Sequence, residues 1–163
     1  MRVAQAGFSF LFIVPAIWRS DWAWGLPLIV MTVVLHVLSL GLINQRAARV
    51  SGGVMERRHP TAAFVVVIGT TVLLATCLHA MEAAIWAAAY RFLGALPDNK
   101  SAMLYSLGAI TSYGHANLSL EDHWQLLGAM EALNGWLLFG LTTAFLFGMI
   151  DKLRLSGGRE NLG

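Results

Sequence analysis

Charged residues are scarce in this chain. Of its 163 residues only 12% are Asp, Glu, Lys or Arg, whereas 57% are hydrophobic and the mean hydropathy is +0.64. Soluble domains carry roughly 25% charged residues, so the composition excludes a sizeable aqueous domain. It predicts an all-α integral membrane protein with a single membrane domain, because the chain has room for only three or four spans of ~20 residues each.

Cysteine is nearly absent, and the usual catalytic motifs are missing. Cys77 is the only cysteine in the sequence, and one cysteine cannot form an internal disulfide. The sequence has no Gly-rich phosphate loop, no motif for a catalytic nucleophile and no zinc-spaced Cys/His cluster. We therefore expect no enzyme activity and no nucleic-acid partner. In the main interpretation the chain also has no cofactor and no metal.

Three long runs are nearly free of charge and are long enough to cross ~30 Å of hydrocarbon. They cover residues 22–45, 60–90 and 124–150, and we predict a transmembrane helix in each. Basic residues are concentrated in a loop at 46–59 and in a tail at 151–163. By the positive-inside rule, both segments are expected in the cytoplasm, as in a protein of the bacterial inner membrane, with residues 91–123 outside.

The N-terminal apolar stretch differs from these three runs. It covers only residues 6–18 and contains Pro15, which is too short for an ordinary span. No small-residue cleavage site follows it, as a removed signal peptide would require. We predict an interfacial or re-entrant helix here, and a fourth spanning helix is the alternative.

The segment between the second and third spans combines a short apolar stretch with an irregular one. Residues 101–111 predict about three helical turns, and residues 112–123 contain a Tyr113-Gly114 turn among polar residues. Irregular backbone at membrane depth is tolerated only where protein shields it or where it lines a water-filled cavity. Three spans from one chain cannot enclose such a cavity. The pattern therefore predicts a short re-entrant helix in an oligomer around a central axis.

The order of these segments carries a resemblance to a known family. The stretches SAMLYSLGAI, TSYGHANLSL and LLGAMEALNGWLLFGLTTAFLFGMI together resemble the pore domain of the potassium-channel superfamily, particularly small bacterial ion-channel-like membrane proteins, over roughly residues 60–151. The resemblance implies a homotetramer among membrane lipids that conducts monovalent cations passively. It also implies that 60–90 is the outer helix, 101–111 the pore helix and 124–150 the inner helix, with Gly135 and Gly140 as a hinge.

The filter implied by this resemblance departs from the family's pattern. Where the family has Thr-Val-Gly-Tyr-Gly-Asp, this chain has Ile110, Thr111, Ser112, Tyr113, Gly114 and His115. Ser112 replaces a glycine whose left-handed backbone turns carbonyls toward the ion, and a residue with a Cβ costs ~1–2 kcal/mol there. His115 replaces the outer carboxylate and would repel cations when protonated. Two interpretations stay open: a cation pore with altered selectivity, or a non-conducting accessory or scaffold subunit of a larger membrane complex.

Polar residues also occur inside the predicted spans. They are His36, His79, Glu82, Glu131 and Asn134. Counting 1.5 Å per residue from the outer helix ends places the four ionisable ones at a similar depth of roughly 10–18 Å. Such residues are costly in a membrane and mark functional sites or mutual pairing. Three alternatives remain: hydrogen bonds between helices, a b-type haem with His36 and His79 as axial ligands, or a metal site or proton pathway using His79, Glu82 and Glu131.

Overall fold

The described part of the chain is entirely helical. A computed structural model describes residues 19–54, 60–114 and 117–159, and these ranges contain no β-strand. The helices are α1 (Arg19–Val54), α2 (Pro60–Phe92), α3 (Asn99–Ile110) and α4 (Gln125–Arg159), with a 3₁₀ turn at Asp122–Trp124 directly before α4. The predicted all-α class is confirmed.

Three of the helices are long and apolar enough to cross a membrane. The candidate spans are Arg19–Arg49, Thr61–Phe92 and Asp122–Leu153, so the predicted multi-pass membrane protein with three long apolar helices is confirmed. Helix α3 has 12 residues and is ~18 Å long, which is short of the ~30 Å of a hydrocarbon core. The N-terminal stretch at 6–18 lies outside the described residues.

Two helices extend beyond the apolar runs that predicted them. Helix α1 continues to Val54, so residues 46–54 are helical where the sequence predicted a basic loop, and α4 continues to Arg159 into the predicted tail. Arg46 and Arg49 lie exposed on the extension of α1. Alanine and arginine are strong helix formers, so a helix continues where the apolar run ends. The length of an apolar run therefore predicts the part of a helix that could lie in hydrocarbon, but it does not predict where the helix ends.

The ends of α3 have specific side-chain support. Asp98 is the N-cap: its Oδ1 accepts a hydrogen bond from the Ser101 backbone N–H at 2.9 Å, and its Oδ2 accepts one from Ser101 Oγ at 2.7 Å. These contacts satisfy donors that the first helical turn leaves unpaired. They also lower the pKa of Asp98, with the hydrogen bond from the Ser101 hydroxyl as the main cause.

The chain packs as two compact units. The first unit comprises the described residues up to Thr32 together with Ala83–Trp136. Its apolar core is built around Trp86, Tyr90 and Leu127, all of which are fully buried. The first unit contains the whole of α3 and the backbone that follows it, which is the segment predicted to form a pore.

A buried carboxylate ties two helices together inside this first unit. Asp21, near the start of α1, is fully buried, and its Oδ1 accepts a hydrogen bond from the backbone N–H of Leu127 at 2.9 Å. Leu127 is the third residue of α4, so its N–H is one of the four that the helix cannot pair internally. A carboxylate at a helix N-terminus also interacts favourably with the helix dipole. Asp21 therefore fixes the start of α4 against α1.

The second unit comprises Val33–Glu82 and the described residues from Leu137 onward. Its buried side chains are mainly aliphatic: Leu40, Val67, Leu78, Leu138 and Met149. Much of the remaining apolar surface is exposed, as at Val65, Leu73 and Phe147, whose side chains are 62 to 74% exposed. Apolar surface of this kind is suited to lipid or to another protein chain.

Candidate functional site

The backbone after α3 turns back onto the end of that helix. The amide of Thr111 donates to the Leu107 carbonyl at 3.2 Å, that of Ser112 to Ala109 at 2.9 Å, and that of Gly114 to Gly108 at 3.0 Å. Three carbonyls of the last helical turn, which a free helix end leaves unpaired, are thus satisfied by the following residues. The segment 111–114, here called the pore loop after the role that the resemblance implies, is therefore supported by its own helix.

Two residues of the pore loop have left-handed backbone. Ser112 has a φ of 56° and Gly114 a φ of 71°. Within the described ranges, Ser112 is the sole non-glycine residue with a positive φ, which for a residue with a Cβ is strained. Its hydroxyl oxygen accepts a hydrogen bond from Trp136 Nε1 of α4 at 2.9 Å. Ser112 and Gly114 are the two positions that the resemblance described above aligns with glycines of the potassium-channel filter.

The hydrogen bonds also determine where two pore-loop carbonyls point. A trans peptide directs its N–H and its C=O to opposite sides, and the described residues contain no cis peptide. Because the amides of Ser112 and Gly114 point to α3, the carbonyls of Thr111 and Tyr113 point away from it. All four residues of the pore loop are exposed, and Tyr113 is 86% exposed. Ile110 is buried beneath them, and His115 lies outside the described residues.

The two glycines predicted as a hinge have different surroundings. Gly135 of α4 lies against the backbone of Ile110, and a Cβ placed on it would overlap the Ile110 carbonyl. A Cβ placed on Gly140 would meet nothing within 4 Å. Gly135 therefore permits a close approach of α4 to the end of α3. At Gly140, no contact among the described residues requires a glycine.

Glu131 lies in a polar cluster of the first unit. Its Oε2 accepts a hydrogen bond from Tyr90 Oη at 2.6 Å, and its Oε1 is hydrogen-bonded to Ser106 Oγ. Ser106 Oγ also lies 2.6 Å from the carbonyl of Ala83, which can only accept. A hydroxyl has one proton, so both contacts of Ser106 are hydrogen bonds only if Glu131 carries a proton and donates it. Glu131 is thus a fully buried acid whose contacts tie α4 to α3 and α2.

Asn134 has a different partner in the first unit. Its Nδ2 donates to Thr32 Oγ1 of α1 at 2.8 Å, and both side chains are fully buried. Thr32 in turn donates to the carbonyl of Leu28, 2.9 Å away in the preceding turn. For Asn134 and Glu131, the interpretation as hydrogen bonds between helices matches the contacts that the structure contains.

Four side chains of the second unit form a closed polar ring. It consists of His36, His79, Glu82 and Thr142, here called the His/Glu cluster. Glu82 Oε1 lies 2.8 Å from His36 Nδ1, and Glu82 Oε2 lies 3.3 Å from His79 Nδ1. On the other side, Thr142 Oγ1 lies 3.0 Å from His36 Nε2 and 3.1 Å from His79 Nε2. Both imidazoles therefore bridge the same carboxylate and the same hydroxyl.

The burial of the His/Glu cluster is uneven. His36 and Glu82 are fully buried, whereas the side chain of His79 is 28% exposed. The two imidazole rings pack at a centroid distance of 5.2 Å, with no gap between them for a flat macrocycle. This geometry favours a small cation or a proton over the haem considered from the sequence.

Comparison with known proteins gives no information about the function of either site. No family model, no curated protein and no solved structure matches the chain. The interpretation of the pore loop and of the His/Glu cluster therefore rests on their own geometry.

Sequence reasoning found some members of these sites and missed others. It singled out His36, His79 and Glu82, which the structure brings together. The partners that complete the sites were not predicted: Thr142 for the histidines, Tyr90 and Ser106 for Glu131, Thr32 for Asn134, and Trp136 for Ser112. Hydroxyl and indole groups are common in membrane helices, so a single sequence contains no signal that would have separated these from their neighbours.

Proposed function

We propose that the chain is the subunit of a homotetrameric membrane pore that conducts monovalent cations passively. The observation that carries the proposal is the backbone of the pore loop. Left-handed residues alternate at Ser112 and Gly114, and the carbonyls of Thr111 and Tyr113 point away from α3. Backbone carbonyls arranged in a ring replace the hydration shell of a permeating cation.

A ring of this kind requires more than one copy. In a single chain the pore loop is exposed, and a pocket of about 450 Å³ opens beside it between Gly108, Ser112 and Gly128. We propose that α3 enters the membrane from the outer side as a re-entrant helix and that four copies surround a common axis. The partial negative charge at the C-terminal end of α3 then favours a cation.

Orientation follows from the distribution of charge. By the positive-inside rule, we propose that residues 46–59 and the C-terminal tail face the cytoplasm of a bacterial inner membrane. The backbone between α2 and α4 then lies on the outer side, together with the pore loop. If His115 lies at the outer mouth, as the resemblance implies, conduction should fall as external pH falls, because four protonated imidazoles repel cations.

One observation favours a second function, that of a non-conducting accessory subunit. The carbonyls of Leu107, Gly108 and Ala109 are paired by the pore loop itself. The loop therefore keeps its conformation without any bound ion. A chain that serves only as a scaffold within a larger complex could retain such a self-supported loop for packing.

Ion flux and particle mass separate the two functions. The purified protein is reconstituted into liposomes, and potassium, sodium and proton fluxes are compared with those of empty vesicles. A pore is expected to pass potassium or sodium, and Ser112→Gly, which relieves the left-handed strain, is expected to raise the preference for potassium. Ser112→Ala is the matched control, because it keeps the strain.

The mass of the particle extracted in mild detergent completes the test. A particle of four chain masses is expected for the pore. Absence of flux above empty vesicles would refute conduction. A single copy that co-purifies in fixed ratio with other membrane proteins would establish the accessory role instead.

A further inference from the structure

One buried oxygen of the His/Glu cluster lacks a hydrogen bond. Glu82 Oε2 is fully buried and makes no hydrogen bond with the described residues, although it lies 3.3 Å from His79 Nδ1. The other three polar contacts of the cluster are hydrogen bonds. A buried carboxylate oxygen without a donor is costly, and a bound cation would satisfy it.

A metal ion between the carboxylate and the two imidazoles would satisfy every group. Both Nδ1 atoms face Glu82, at 2.8 Å and 3.3 Å from its oxygens. In a tetrahedral site with bonds of ~2.0–2.1 Å, neighbouring ligand atoms lie roughly 3.3 Å apart. Coordination through Nδ1 requires that each neutral imidazole carry its proton on Nε2. The approach of the Nδ1 atoms to Glu82 therefore suits ligation as it stands.

Thr142 completes this arrangement. Both Nε2 atoms face its hydroxyl oxygen, at 3.0 Å and 3.1 Å. A hydroxyl oxygen has two lone pairs and can accept both N–H groups. Histidines that ligate a metal characteristically donate their second N–H to an acceptor that fixes the tautomer and the ring orientation. The Thr142 hydroxyl oxygen lies where it can be that acceptor for both histidines.

We propose that His36, His79 and Glu82 bind one divalent transition-metal ion per chain, with Thr142 as a positioning residue. One ligand atom from each of the three residues lies within 4.8 Å of the others, so an ion would draw them together by at most about 1.5 Å. Two imidazoles and one carboxylate favour zinc and other divalent transition metals, because magnesium and calcium prefer oxygen ligands alone. The partly exposed His79 marks the side from which the ion enters. Three protein ligands leave a fourth position for water.

The metal site is independent of the proposed pore. Its four residues all belong to the second unit, and binding of the ion requires no conduction through the pore loop. Metal binding and ion flux are measured separately, so either proposal can fail without the other.

The test is a metal titration of the purified protein, prepared with a purification tag that lacks histidine. After treatment with a chelator, the protein is titrated with zinc by calorimetry and with cobalt(II) by visible absorption. We expect one ion per chain and the intense visible bands of four-coordinate cobalt. His79→Gln and Glu82→Gln should abolish both signals. Thr142→Val should weaken binding by roughly 10–100-fold, whereas Thr142→Ser should preserve it.

The control is His123→Gln. His123 is exposed beside Glu121, with 3.6 Å between Nδ1 and Oε2, and it lies outside the cluster, so its loss should change nothing. Helical circular dichroism confirms that each variant is folded, and the partly exposed His79 provides a test if the buried Glu82 variant fails to fold. Absence of one-to-one binding by the unaltered protein would overturn the proposal. Full binding by folded His79→Gln, or equal binding by Thr142→Val and Thr142→Ser, would also overturn it.

Discussion

The contact between Gly135 and Ile110 gives a sharp expectation for stability. A Cβ on Gly135 would lie 2.7 Å from the carbonyl carbon of Ile110 and 2.9 Å from its Cα, and closer still to the carbonyl oxygen. These are backbone atoms at the end of α3, so they cannot move aside as the tip of a flexible side chain can. To bring the carbonyl carbon alone from 2.7 Å to an ordinary contact of 3.4 Å, the end of α3 must withdraw from α4 by at least about 0.7 Å, and the closer carbonyl oxygen requires more.

The expected magnitude follows from the cost of overpacking. Gly135→Ala should lower the free energy of unfolding by about 1–3 kcal/mol, the range measured when extra methyl groups are forced into packed interiors. Gly140→Ala is the matched control in the same helix. A Cβ there meets nothing within 4 Å, and alanine favours a helix over glycine by up to about 1 kcal/mol. The two substitutions should therefore shift stability in opposite directions.

Thermal unfolding in detergent, followed by helical circular dichroism, measures this difference. We expect the melting temperature to fall for Gly135→Ala and to stay level or rise for Gly140→Ala. Equal melting temperatures for the two variants would refute the close contact and leave both glycines as candidates for a hinge. If Gly135→Ala is destabilised, the glycine is required for packing.

Three further expectations concern other contacts. Thr32→Val should lower the free energy of unfolding by about 1–3 kcal/mol, because the buried amide of Asn134 loses its acceptor. Thr32→Ser keeps the hydroxyl and should retain most of the stability of the unaltered protein. Chemical unfolding of both variants measures the difference. Ser112→Ala should be less stable than the unaltered protein by about 1 kcal/mol, because it loses one hydrogen bond. Ser112→Gly should be at least as stable as the unaltered protein. Melting temperatures of the two variants test both expectations. The pKa of Asp98 in the folded protein is lower than the ordinary value of 3.8, so the ionised cap stabilises α3 at pH values above 3.8, and this stabilisation is lost as the pH falls from 3.8 through the lowered pKa. Melting temperatures at several acid pH values should show this loss. Asp98→Asn, which keeps a capping acceptor, should not lose stability in that range.

The sequence was informative where the physical rule is local. An apolar run of a given length predicts a spanning helix, and all three were recovered because the bilayer sets that length. At Ser112 the expectation of left-handed backbone came from the resemblance, and the residue has a φ of 56° in the structure. Long-range partners could not be predicted in this way. The pairing of Thr142 with two histidines depends on how helices are rotated against each other, and a single apolar sequence leaves that rotation open because nearly every face of these helices is apolar.

The two buried glutamates illustrate how the same side chain is accommodated in two ways. Glu131 is surrounded by hydroxyl groups, from Tyr90 and Ser106, and the contacts of Ser106 are satisfied when the carboxyl carries a proton. Glu82 is flanked by two imidazoles, which can share positive charge or ligate a cation. An unpaired carboxylate at membrane depth is costly, and each of the two is contacted by polar partners from neighbouring helices. From the sequence the two were equivalent, and only the neighbouring donors separate them.

Ser112 shows how the contacts of the pore loop offset backbone strain. Its left-handed backbone costs about 1–2 kcal/mol, whereas its one neutral hydrogen bond with the Trp136 indole contributes about 0.5–1.5 kcal/mol. The bond and the strain are of similar size, and glycine would achieve the same conformation without strain. The left-handed backbone also allows the amides of Ser112 and Gly114 to pair the carbonyls of Ala109 and Gly108, as at the C-terminus of many helices. These contacts hold a serine in a conformation that favours glycine, and that conformation directs the Thr111 and Tyr113 carbonyls away from α3.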